Sequence, residues 1–297
     1  MKIRITFTFQ LRYSLVVAML LALFTHMTTP AQAAAADYAA IRDRIASKRA
    51  AQMMTPNPGA TFQSYGEETE SDEEEEVIEE AHEDEKEDKK LIVGLDIGTS
   101  KIVAIVAELQ PDGLLNIIGL GQHSSKGLKK GVVINIDSTM ESIQRAIEEA
   151  ELMANCKITD VYTGIAGSHI KSINSHGMVK IKDTEVSQLD VEKVIETACA
   201  ITLPNDQQVL HILTQEYVID GQEDVRQPLG MSGMKLEVKV HIVTGAIAAA
   251  QNIVKCIKRC GLEVSELVLQ PLASSMAVLT DDEKELGVCL VDIGGGT

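Results

Sequence analysis

The pattern of apolar and polar positions splits the chain near residue 90. Beyond that point Leu91–Ile97 is a nearly continuous apolar run, Lys101–Leu109 a second, and 114–121 a third. Gly98-Thr99 and Pro111-Asp112-Gly113 supply turns between them, so the spacing predicts three strands in an antiparallel meander. Ser138, with Glu141 three residues on, reads as a capping box that opens a helix carrying Ile143, Ala146, Ile147 and Ala150 on one face. A strand follows over 158–165, and a strong helix over 245–260. That helix has Lys255, Lys258 and Arg259 in its last turns and Gly261 just beyond, which suits the macrodipole and a left-handed cap. A strand over 264–269, a short helix started by Pro271 and a strand over 287–293 complete the pattern.

The stretch 167–243 interrupts this series and has the texture of an inserted subdomain. Its predicted helix, 190–200, presents Val191, Val194, Ile195 and Ala198 on one face. In its strand over 235–243, Leu236, Val238, Val240 and Ile242 alternate with charged residues, which predicts a sheet with one wet face.

The residues before 91 are a different material. Lys2, Arg4 and Arg12 precede an apolar run over 15–24, and Ala31-Gln32-Ala33 follows with small residues, the pattern of a secretory signal. Ten apolar residues are short for a membrane span. Cationic residues flank the run on both sides, so charge sets no orientation. A wrongly placed start, with Met53 or Met54 as the true one, is the alternative reading of this leader. Residues 34–90 have few apolar anchors and a Thr55-Pro56-Asn57-Pro58-Gly59 break, and are expected to be a disordered acidic linker.

Composition sharpens this division. The 297 residues, 45% of them hydrophobic, suffice for about two domains. The formal charge of −17 is concentrated in 67–88, where fifteen carboxylates face one lysine. The rest of the chain is close to neutral, which argues against a nucleic-acid binder, since that needs a basic face. Five scattered cysteines in a chain of this length exclude a disulfide-stapled scaffold and fit reduced thiols. Cys256 and Cys260, four apart on one helix face, could hold a metal, but no His or further Cys lies nearby in sequence and buried packing is the better reading.

The chemistry lies in two segments that echo each other. Leu95-Asp96-Ile97-Gly98-Thr99 and Val291-Asp292-Ile293-Gly294-Gly295 each put an aspartate at the end of an apolar run, just before a turn of glycine and hydroxyl residues. Such turns bind phosphate, because backbone N–H groups without an obstructing Cβ can close on its oxygens. An aspartate beside them can hold Mg²⁺ through its waters. Neither a Gly-x-x-x-x-Gly-Lys loop nor a Gly-x-Gly-x-x-Gly turn is present.

This pair of hairpins, with the strand order between them, resembles the actin-like ATPase superfamily. Within it, residues 91–297 resemble the FtsA family of bacterial cell-division proteins, through Leu91 to Lys101, Gln144 to Met153, Gln215-Glu216-Tyr217, Leu272-Ala273-Ser274-Ser275 and Gly287 to Thr297. Position of the insert separates it from actins, actin-like chaperones and sugar kinases, which place theirs between the third strand and the first helix. The PilM family of type IV pilus assembly proteins shares the later placement and is the alternative; a chaperone or sugar kinase is a remoter one.

The resemblance implies an α/β, actin-like (ribonuclease H-like) ATPase fold. Subdomain 1A would comprise 91–166 and 244–286, an inserted α+β subdomain 1C 167–243, and 287–297 the start of a truncated 2A. It implies that Asp96, Gly98, Thr99, Ser100 and Lys101 form a first phosphate hairpin and Asp292, Gly294, Gly295, Gly296 and Thr297 a second. ATP would be the cofactor, with Mg²⁺ near Asp96 and Asp292 and at most slow hydrolysis. Val103 departs from actins, which carry a lysine there. Gln270, just before Pro271, matches the residue that orients the attacking water, and a strand-end glutamine capping a backbone group is an equal alternative. The implied partners are FtsZ, whose site lies outside this stretch, filament neighbours, late division proteins and the cytoplasmic face of the inner membrane at the septum. The family's use of 1C in such contacts puts 227–235 at an expected interface.

Overall fold

The computed structural model describes residues 2–3 and 90–296. The signal-like leader and the acidic linker therefore lie outside the described residues, except that β1 (Lys2–Ile3) pairs parallel with a short strand at 288–289.

Three strands, β2 (Leu91–Ile97), β3 (Lys101–Leu109) and β4 (Leu115–Ser124), form the antiparallel meander. A two-residue hairpin follows, β5 (Leu128–Lys129) and β6 (Val132–Val133). Its turn residues Lys130 and Gly131 both have positive φ, 51° and 74°, as the tight right-twisted hairpin turn demands.

Helix α1 (Ile136–Ala154) begins earlier than the expected box at Ser138. Asn135 is its cap: the Asn135 carboxamide oxygen accepts from the Ser138 amide at 2.9 Å. Asparagine in extended backbone satisfies an orphan N–H as well as serine does, and the cap's identity depends on where the preceding hairpin ends. The helix ends where Asn155 turns left-handed, with φ 49°.

Strand β7 (Asp160–Ile165) then lies parallel beside β2. The chain leaves at its end to build a second sheet. Strand β8 (Lys171–Lys180) is followed by α2 (Gln188–Ala198), β9 (Gln207–Ile219), β10 (Gln222–Val225) and β11 (Lys235–Ala246). The four strands are antiparallel in the order β10-β9-β11-β8. α2 starts two residues before the expected Asp190, because Ser187 and Asp190 form a reciprocal capping box. Strand β11 runs on to Ala246 by keeping register with β9, so α3 (Ile247–Arg259) opens two residues later than its sequence suggests. β12 (Glu263–Leu269) returns the chain to the first sheet, parallel to β7. α4 (Gln270–Val278), α5 (Asp281–Leu286) and β13 (Val288–Cys289) close the described chain. The expected strand over 287–293 is realised as the two residues of β13; beyond them Val291 and Ile293 are exposed.

Two separate cores result. The first sheet has order β12-β7-β2-β3-β4. One face, with Leu95, Ile102, Ala104 and Val106, packs beneath α1 and α3 around Ile143, Ala146, Ile253 and Ile257. Ile92, Val103, Ile105 and Ala107 form a smaller cluster on the opposite face. Burial on both faces explains why β3 reads as an unbroken apolar run. Val103, where actins have lysine, is fully buried there. The second core joins α2, through Val194, Ile195 and Ala198, to Leu236, Val238, Val240 and Ile242 of β11. On the other face of β11, Lys235 and Glu237 form an ion pair and Lys239 pairs with Glu216 at 2.6 Å, so that face is wet.

Both helices rest on glycines. A Cβ at Gly121 would overlap the Ala146 carbonyl of α1, and one at Gly119 would lie 2.7 Å from the Ala150 carbonyl oxygen. In the insert, a Cβ at Gly177 would overlap the Val194 carbonyl of α2. The strands carry glycine where the helix backbone comes closest. Replacing Gly121 with alanine should therefore push α1 off β4 and cost about 1–3 kcal/mol, read as a lower urea midpoint with an unchanged slope; an unchanged midpoint would show that α1 can shift freely.

Candidate functional site

Strands β2, β7 and β12 are parallel, and their carboxyl ends open together into a cleft of about 480 Å³. Crevices at strand carboxyl ends are the usual ligand sites of α/β sheets. Asp96, Gly98, Thr99 and Lys101 form one wall, Asp292, Gly294, Gly295 and Gly296 the other, and Gln270 lies among the remaining lining residues. Of the residues expected at the site, Thr297 is outside the described residues. Ser100 does not line the cleft, although a Cβ at the lining residue Gly295 would overlap its hydroxyl.

The first hairpin is a tight turn whose Gly98 amide donates to the Lys101 carbonyl at 3.1 Å. A Cβ on Gly98 would sit 2.8 Å from that same oxygen. The Lys101 ammonium donates to the Gln122 carboxamide on β4 at 2.9 Å. The two glycine turns touch, since a Cβ at Gly296 would come within 2.7 Å of the Thr99 side chain.

One helix holds both aspartates. Gln270, at the first position of α4, donates through Nε2 to Asp96 Oδ1 at 2.7 Å. Four residues on, Ser274 Oγ lies 3.1 Å from Asp292 Oδ2 and 3.0 Å from the Gln270 carbonyl oxygen. The i, i+4 spacing sets both side chains on one helix face. A Cβ on Gly164 of β7 would fall 2.7 Å from Gln270 Cγ, so a glycine on the neighbouring strand gives Gln270 its room. The Gln270 amide group meets a carboxylate, not the backbone group that a simple strand-end cap would use.

Several lining residues carried no readable signal. Lys130 reaches the cleft because Thr99 Oγ1 accepts from the Gly131 amide at 3.2 Å, tying the β5–β6 turn to the first hairpin. Ala166, Gly167 and Ser168, the exit from β7, line it too. Nothing in the Lys130-Gly131 pair indicates which loop its turn meets. His169, beside them, has neither ring nitrogen hydrogen-bonded among the described residues, and burial lowers its pKa.

The cysteine pair stays apart from this chemistry. Cys256 Sγ lies 3.9 Å from the Ile136 carbonyl oxygen and Cys260 Sγ 3.6 Å from that of Met140, both against α1. Among the described residues no group of three or more His, Cys, Asp or Glu is placed to hold a metal ion.

A mixed five-stranded sheet, two aspartate-glycine turns facing across its strand ends and an antiparallel insert after β7 define the class as actin-like. Residues 167–244 match the family model described as the SHS2 domain inserted in FTSA. The cell division protein FtsA of Pseudomonas aeruginosa is 63% identical over 208 residues, 70% of this chain and 50% of that protein. FtsA of Escherichia coli K12 is 51% identical over 210 residues, 71% of this chain and 50% of that one. A PilM–PilN type IV pilus biogenesis complex superposes with a TM-score of 0.41 at 17% identity, over 61% of this chain and 47% of that one, a likeness too slight to bear on function. Over the matched stretch the chain belongs to the FtsA family; it spans about half the length of the curated relatives it matches.

Burial pushes the Cys256 thiol up to about 11. At pH 8 little of it is thiolate, so iodoacetamide should modify Cys256 on the order of a hundredfold more slowly than exposed Cys289. Comparable rates by peptide mass spectrometry would contradict the buried-packing reading of this pair.

Proposed function

We propose that the cleft binds ATP with Mg²⁺ and that the chain is the nucleotide-binding half of an FtsA-type division adaptor. The observation that carries this reading is the clasp of Asp96 and Asp292 by Gln270 and Ser274 of one helix, beside two glycine turns. The donor set suits the ligand. Gly294, Gly295 and Gly296 leave backbone amides approachable, and two carboxylates suit a cation that keeps most of its waters. Bound Mg²⁺ would offset phosphate charge. Lys130 adds a positive side chain at the rim. Thr297 would extend the second turn.

Gln270 is proposed to orient a water at the phosphate end, with its Asp96 bond fixing the amide plane. Such a residue positions and does not strongly activate, which fits an assembly switch with slow turnover at most. The wider role proposed on this likeness is filament formation at the septum, linkage of FtsZ to the inner membrane and recruitment of later division proteins. Among the described residues no helix is long and apolar enough to cross a membrane. Met234 and Leu229, both exposed in the 227–235 stretch, suit its proposed contact role.

Calorimetric titration with ATP tests the site. Binding should need Mg²⁺, and Asp96→Ala should weaken it about tenfold or more; unchanged affinity in that variant would remove the nucleotide reading. In a protein carrying the remaining family length, Gln270→Ala should lower hydrolysis while sparing ATP affinity. Equal loss of both would end the water-orienting role.

A further inference from the structure

A second cleft, of about 500 Å³, runs along α3 away from the aspartates. Ala250, Val254 and Leu267 give it an apolar floor, and Lys255, Lys258 and Arg259 line one end. No carboxylate lines it. The helix macrodipole acts most strongly on Lys258 and Arg259 in the last turn and falls off toward Lys255, one turn further back. The nearby carboxylates engage these cations weakly. Lys258 Nζ is 4.0 Å from Glu263, Arg259 is 3.6 Å from Asp137, and both carboxylates are largely exposed. Lys255 forms no ion pair with a described residue.

We propose that this basic cleft receives the acidic segment 67–88 of the same chain. Three observations favour that occupant over any other. Charge is complementary, fifteen carboxylates against one lysine in a chain otherwise near neutral. The two charges also start from the same end of the molecule. β2, β7 and β12 are parallel, with Gly94 opposite Tyr162 and Glu263 opposite Asp160, so Leu91 and Glu263 sit at the same sheet edge. Arg259 ends α3 four residues before Glu263. Two strand spacings set Leu91 and Glu263 about 10 Å apart across the sheet. A residue of extended chain covers about 3.3 Å, so the acidic block, which ends three residues before Leu91, can reach the cleft with length to spare. So short a tether also gives an effective concentration in the millimolar range, enough to fill a weak site. The apolar floor of the cleft suits Val77 and Ile78, two apolar residues in the middle of the acidic block.

Occupancy by its own tail would keep other acidic peptides off α3. Ionic strength controls such a contact, because the screening length falls to about 3–4 Å near 1 M salt.

Zero-length carbodiimide coupling of the full chain, followed by peptide mass spectrometry, tests this directly. The expected products join carboxylates of 67–88 to Lys255 and Lys258. Lys157, held by Glu151 at 3.0 Å near the same sheet end, serves as the proximity control and should couple about tenfold less. In Lys255→Glu with Arg259→Glu, coupling at the remaining Lys258 should fall about tenfold, as it should for the unaltered chain in 1 M NaCl. Equal coupling to Lys157 and Lys258 would reduce the contact to mere proximity and overturn the proposal. So would links found between labelled and unlabelled copies in a mixed sample, which would assign the cleft to a second copy. Absence of any link to α3 would overturn it outright. Unchanged circular dichroism of the double variant separates loss of docking from loss of fold.

Discussion

The hydrogen bonds from α4 to the two aspartates fix the geometry on which the rest of the site depends. Asp96 ends β2, and Asp292 follows β13 far along the chain; neither turn alone forms a cleft. Gln270 and Ser274 tie one to each, and α4 grows directly off the end of β12. The parallel alignment of β2, β7 and β12 thereby becomes a statement about chemistry. It brings three strand ends to one edge, and the helix that follows the last of them reaches across the opening.

That arrangement also explains why the insert sits where it does. The second sheet is spliced between the end of β7 and the start of α3, so the polypeptide leaves and re-enters beside the cleft. It has its own core and its own helix. His211 of β9 nevertheless accepts from the Leu269 amide at 2.9 Å, one residue before Gln270. A side chain of the insert thus helps hold the segment that positions the glutamine. The insert's outer face is a lattice of ion pairs, with Lys235 and His176 holding the Glu237 carboxyl below its usual range.

Two kinds of electrostatics coexist in one chain. At the cleft, charges are few and held by oriented hydrogen bonds, the form in which they act on a ligand. On α3 and in the acidic segment they are numerous and exposed, the form that salt screens and that a tether makes effective. The first kind stands at the strand ends, while the second is spread along the chain's surface and its acidic segment.

The local signals in the sequence were strong wherever burial fixes the residue type. β2 and β3 were readable because both faces of the central strands are buried, and the alternation in β11 because one face is wet. Two Asp-x-Gly turns stood out as a candidate site because no other residue lets the backbone come so close. Element ends were less legible: Asn135 caps α1 in place of Ser138, and β11 overruns Gly245, because caps and strand ends depend on what the neighbouring element does. Lys130 at the cleft, Ser274 on Asp292 and Gln270 on Asp96 came from the tertiary structure alone. Each joins residues whose proximity is set by sheet order, and a linear pattern records the periodicity of a strand without recording which strand lies beside it.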